Sequence, residues 1–149
     1  MIWKVYLAGE IHTDWRTDLQ KAVERLDLPI EFYAPVTDHA ASDDCGASIL
    51  GAEPSPFWHD RKGAGLNAIR TRPLIEKSDI VVVKFGEKYR QWNAAFDAGM
   101  ASALGKPLII VHSEEFQHAL KEIDAAANAV TDDVTKVADL LRYVTLGKL

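Results

Sequence analysis

Along this chain, short apolar runs rich in strand formers alternate with stretches whose apolar residues recur at helical spacing. Ile2 to Ala8 is the first run and Gly9 ends it, the pattern of a buried strand feeding a turn. Thr13 then reads as a helix cap, with Trp15, Leu19, Ala22 or Val23, and Leu26 on one face. Ile30 to Ala34 is the second strand, stopped by Pro35. From Pro35 to about Gly63 periodicity gives way to prolines, glycines and scattered acids, so an irregular segment is expected there. Phe57 and Trp58 give that segment something to pack with, as an ordered cover with at most a short helix around Ser48. Helical spacing returns from Ala64 to Lys77, where Pro73 predicts a kink or a break near Thr71 or Arg72. Asp79 to Phe85 is the third strand. Asn93 caps a slim helix that ends at Gly105, and Leu108 to Val111 is the fourth strand. Ser113 caps a helix carrying Phe116, Leu120, Ile123 and Ala127. Asn128 to Thr131 forms a fifth edge strand, and Asp132 or Asp133 opens the last helix.

This alternation predicts one α/β domain over residues 1–149, doubly wound, with helices on both faces. Its sheet has five strands, mainly parallel, in the order 2-1-3-4-5. Right-handed crossovers bring the carboxyl ends of the first, third and fourth strands to one edge. Gly9-Glu10-Ile11-His12 then faces Phe85 to Asp97 across the switch point between the first and third strands, where such folds hold ligands. With Ala94, Ala95 and Phe96 as the first turn, Asp97 is expected just inside its helix, where exposed N–H groups and the dipole favour an anion.

Composition narrows the function classes. Apolar residues make up 48% and charged ones 26%, an ordinary globular balance, and the net charge of −5 lacks the basic face that a nucleic-acid partner needs. Cys45 is the sole cysteine, so no intrachain disulfide forms and a reducing compartment suits the chain. No signal peptide or bilayer-length apolar window is visible, which makes a cytoplasmic protein without a membrane partner the default. The slim helix and the exposed aromatics argue for a homo-oligomer.

Three stretches carry a resemblance: Val5-Tyr6-Leu7-Ala8-Gly9; Ser78-Asp79-Ile80-Val81-Val82; and Phe96-Asp97-Ala98-Gly99-Met100-Ala101, running on to Leu104-Gly105-Lys106-Pro107. Together they resemble the nucleoside 2-deoxyribosyltransferase superfamily, closest to its YtoQ-type branch, over nearly the whole chain. The resemblance implies a carboxylate nucleophile at Asp97 that attacks the anomeric carbon of a nucleoside or nucleotide, with Tyr6 hydrogen-bonded to it. No cofactor is implied. Two positions depart from the family pattern. The nucleophile is typically glutamate, and the loop that grips the sugar or phosphate is here Gln91-Trp92-Asn93-Ala94, with Gln91 where an aspartate is expected.

The chemistry asks for the same groups. Breaking an N-glycosidic bond passes through an oxocarbenium-like state that an ionised carboxylate stabilises or traps. A second group must serve the departing base, for which Glu10 and His12 are the candidates. Gly9, His12, Gln91, Trp92, Asn93 and Arg70 complete the expected binding surface, with Arg70 available to a phosphate. Base exchange and hydrolysis both remain open. So does a non-catalytic nucleotide-binding module that has lost the sugar-gripping loop. The acids and histidines between Asp38 and Asp60 match no strong metal-site spacing, and no metal is expected.

Overall fold

The computed structural model describes residues 1–149, built on a five-stranded sheet whose neighbouring strands are all parallel, in the order β2-β1-β3-β4-β5. The strands are β1 (Trp3–Gly9), β2 (Ile30–Tyr33), β3 (Ile80–Lys84), β4 (Leu108–Val111) and β5 (Ala129–Thr131). The helices are α1 (Trp15–Arg25), α2 (His39–Leu50), α3 (Pro56–Lys77), α4 (Trp92–Ala103), α5 (Lys121–Ala126) and α6 (Val134–Leu146). The expected strand order and helical wrapping are both present, and the sheet is parallel throughout.

Alternation along the strands divides the core in two. Val5, Leu7, Val82 and Val111 point to one face, where Trp15, Leu19 and Val23 of α1 and Val137 and Leu141 of α6 cover them. Tyr6, Ala8, Val81, Val83 and Ile110 point to the other, under Ile75 of α3 and Ala94, Ala98 and Ala101 of α4. The alanines keep α4 slim, so its backbone lies close to the sheet. Gly105, with φ of 68°, ends it in the left-handed conformation that stops a helix.

The segment expected to be irregular is instead an antiparallel pair of helices. Asp38 caps α2 by accepting the Ala41 N–H at 2.7 Å, and α3 starts at Pro56. A Cβ on Gly46 would stand 2.5 Å from the Gly63 nitrogen, so bare glycine faces let the two helices touch. The pair packs mainly on itself and leaves Ile49, Leu50, Phe57 and Trp58 exposed, which is why no apolar stripe marks it in the sequence.

Other local expectations also change. α3 runs unbroken through Pro73, on a stretch where Ile69, Arg72 and Pro73 are exposed and a freed carbonyl has solvent for a partner. Thr13 does not cap α1, because its N–H and hydroxyl both go to Glu10. The helix expected after Ser113 is split into a 3-10 turn at Glu114–Phe116 and the short α5. No helix is long and apolar enough to cross a membrane.

Candidate active site at the switch point

A cavity of about 800 Å³ opens where β1 and β3 end, within the size range of small-molecule sites. Three parts of the chain wall it: the loop after β1, the α2–α3 pair, and the β3–α4 loop with the start of α4. Among the residues expected at the site, Gly9, Glu10, His12, Gln91, Asn93 and Asp97 line it. Tyr6, Trp92 and Arg70 do not. Trp92 is the first residue of α4 and is 73% exposed, and Arg70 lies on an exposed face of α3.

Asp97 is the sixth residue of α4, deeper in the helix than the expected start after Asn93 would put it, so the helix terminus is not what surrounds it. The helix begins earlier than expected because the Gln91 carbonyl accepts the N–H groups of Ala94 and Ala95, which puts Asn93 inside it. Asp97 is half-buried and makes no hydrogen bond or ion pair within the chain. Burial pushes its carboxyl up from 3.8 to about 6. Ionised Asp97 is therefore a cost to the fold. Its folded pKa exceeds the unfolded one, so stability is greatest below about pH 4, falls as pH rises to about 6, and stays reduced above that. Asp97→Asn removes the penalty and is expected to stabilise the protein at pH 8 by about 2 kcal/mol, with little effect at pH 4. Urea denaturation at the two pH values measures this. An unchanged midpoint at pH 8 would show that the carboxylate is already satisfied.

Tyr6 is 0% exposed, and its hydroxyl has no hydrogen-bond partner of ordinary geometry. Thr71 lies beside it, and Asp97 is near enough to act on its charge. Burial first, then the negative charge of Asp97, pushes the phenol up to about 12, so Tyr6 is a neutral donor.

Glu10 is 3% exposed and its oxygens are already engaged. One accepts the N–H groups of His12 at 2.7 Å and Thr13 at 3.1 Å. The other accepts the Thr13 hydroxyl and lies 3.3 Å from the Lys84 ammonium. Burial alone would raise this carboxyl, but the Thr13 and His12 hydrogen bonds and the Lys84 charge outweigh it and hold Glu10 below its ordinary value. Glu10 thus fixes the loop that carries His12. The His12 ring sits 4.8 Å from that of Tyr89 and 5.8 Å from that of His39, a cluster of rings from three segments on the cavity wall.

Sequence reasoning missed the group that holds this loop. Arg16 is buried and donates to the carbonyls of Leu7 (3.0 Å), Glu10 (2.6 Å) and Gly9 (3.1 Å), locking the end of β1. Its signal was a cation three and seven residues before Leu19 and Val23, on the apolar face of its helix. Arg61, Asn67, Thr71, Tyr89 and Arg90 also line the cavity without having been expected there.

The histidines and acids of the α2–α3 pair match up locally, His39 with Asp43 and His59 with Asp44 and Asp60, and do not gather three ligands in one place. A second hollow of about 530 Å³ lies beside β5. There His112 has both ring nitrogens engaged, by Asp124 and the Ser113 carbonyl, and offers no free atom for chemistry.

Comparison with known proteins places this geometry. Among solved structures, a conserved protein from Enterococcus faecalis V583 superposes with a TM-score of 0.67 at 16% identity, over 97% of this chain and 99% of that one. A 2-deoxyribosyltransferase from Bacillus psychrosaccharolyticus superposes with a TM-score of 0.53 at 19% identity, over 91% and 90%. At these identities the two matches establish the shared fold. In sequence, the chain is 44% identical over 140 residues to a protein of Bacillus subtilis (strain 168) described as "Uncharacterized protein YtoQ", covering 94% of this chain and 95% of that protein. The family pattern described as "Nucleoside 2-deoxyribosyltransferase YtoQ" matches residues 6–145, from the buried tyrosine of β1 to the last turns of α6. This chain belongs to the YtoQ-type nucleoside 2-deoxyribosyltransferase family.

Proposed function

We propose that this protein processes the N-glycosidic bond of a (deoxy)nucleoside or nucleotide, with Asp97 as the nucleophile. One observation carries the reading. Asp97 is a half-buried carboxyl without any partner in the chain, lining a ligand-sized cavity at the switch point of a parallel sheet. An acid kept so at a cost in stability is one held ready for a ligand.

In the proposed reaction a carboxylate oxygen of Asp97 bonds to the anomeric carbon, and the carbon–nitrogen bond breaks. Its electron pair passes to the base, which takes up a proton. The resulting ester is opened by a second base or by water, which returns the free carboxylate. Tyr6 is the neutral donor near Asp97, unpaired in the free chain, and in this scheme its hydroxyl turns to the carboxylate once a ligand is bound. His12 is the group for the departing base, since Glu10 is ionised and fully engaged. A homo-oligomer built on the exposed α2–α3 tip and on Trp92 and Phe96 belongs to the same reading, and a monomer by light scattering would remove it.

Incubation with a panel of deoxynucleosides and an excess second base, followed by chromatography, tests the proposal. Free base or a new nucleoside is expected. Saturable binding without cleavage would favour the non-catalytic module, a reading helped by Gln91, whose side-chain carbonyl is already spent on the Gly86 N–H at 2.7 Å.

A further inference from the structure

The cavity is unevenly supplied with partners. Its acids are engaged: Glu10 by Lys84, Asp43 by His39, and Asp60 by His59, leaving only Asp97. Its two arginines are not. Arg61 of α3 and Arg90 of the β3–α4 loop both line the cavity at its exposed rim, and neither guanidinium makes an ion pair or a hydrogen bond within the chain. Next to Arg90, the side-chain nitrogen of Gln91 is buried without an acceptor, while the oxygen of the same amide is occupied. Gln91 therefore has only a donor to offer, where a carboxylate in that place would have only acceptors. Among the full charges that line the site, the unpaired ones are thus two guanidiniums against one acid, with the Gln91 N–H₂ as a further donor beside Arg90.

We propose that the ligand of this cavity is anionic, a phosphate monoester such as a nucleoside 5′-monophosphate, with Arg61 and Arg90 as its charge-recognising residues and Gln91 as an added donor. Guanidiniums suit this group because their planar forks match phosphate oxygens. Arg61 precedes Thr71 by ten residues, roughly 15 Å along the helix. That sets its charge well apart from the Tyr6–Asp97 end, as a ligand reacting at one end and charged at the other requires. The protein's overall charge of −5 makes local cations more necessary for holding such a ligand.

This inference rests on the nucleoside reading, and its test separates the two. Calorimetry on Asp97→Ala, which binds without turnover, compares a deoxynucleoside with its 5′-monophosphate. The monophosphate is expected to bind at least about tenfold tighter, and the combined Arg61→Gln, Arg90→Gln change to bring that ratio below about twofold. Thermal shift of the wild-type protein with inorganic phosphate reports on the anion alone. Equal affinity for the two ligands, or a preference that survives loss of both arginines, overturns the proposal and leaves the nucleoside reading standing. Arginine-dependent stabilisation by phosphate, with no nucleoside or nucleotide binding, keeps the anion site and removes the nucleoside. Binding of none of the three overturns both.

Discussion

Asp97→Ala is expected to lower deoxynucleoside cleavage or exchange by about a thousandfold or more while the protein remains folded. The size follows from the role, because a covalent nucleophile has no substitute and its loss leaves only binding and orientation to assist water. Retention of the fold follows from the surroundings. The carboxyl makes no hydrogen bond that truncation could break, and its ionised form costs stability, so the variant is expected to unfold no earlier than wild type at pH 8. Chromatographic turnover and thermal unfolding on the same sample check both halves. The wild-type rate should also rise with pH across about 6 as the nucleophile ionises. Undiminished turnover in the alanine variant would move the nucleophile elsewhere and end the covalent scheme. Reach enters as well, since aspartate is one methylene shorter than the glutamate typical of the superfamily. In the proposed scheme the shorter reach has to be made up by the placing of α4, whose Ala94, Ala98 and Ala101 are buried against the sheet.

The parts of the fold that were legible in the sequence are those whose burial is uniform. Ile80 to Val83 and Leu108 to Val111 lie under helices on both sides, so they read as unbroken apolar runs, and as consecutive strands they are neighbours in the sheet, the commonest arrangement. The α2–α3 pair was illegible for the opposite reason. Its helices meet through Gly46 and Gly63 and through the Asn67 amide donating to Ser42, and they expose Ile49, Phe57 and Trp58, so the large apolar positions fall on the outer face. At the site, the candidates on either side of the switch point were reachable from topology alone, and Gly9, Glu10, His12 and Asp97 do share one cavity. Their states were not legible. Nothing in the order of residues tells that Glu10 accepts from Thr13 and His12 while Asp97 accepts from nothing. That difference arises from Lys84 and Arg16, which come from separate elements and meet Glu10 or its loop only in the folded chain.

Gly9→Ala is expected to be the most damaging small substitution at the site, costing about 3–5 kcal/mol and lowering the melting temperature by roughly 10 °C. Two independent causes add. Gly9 has φ of 106°, where an L side chain is strained, and its added Cβ would stand 2.0 Å from the carbonyl oxygen of Lys84 and 2.7 Å from the Lys84 nitrogen. Both atoms are backbone of the neighbouring strand, so no side chain can swing aside. Relief requires β1 and β3 to part at the point where Gly9 faces Lys84 in register and the Glu10 N–H donates to the Lys84 carbonyl at 2.9 Å. That movement would pull Glu10 from Lys84 and release the loop carrying His12, so binding should fail along with stability. Gly99→Ala is the matched control. It lies within α4 at an ordinary φ with nothing within 4 Å of the new Cβ, and is expected to be neutral or to stabilise by up to about 1 kcal/mol. Denaturant unfolding of the pair separates a general intolerance of change from a specific one. A Gly9 variant as stable as the Gly99 variant would mean that the ends of β1 and β3 stand farther apart than this geometry has them, and the cavity between them would have a different floor.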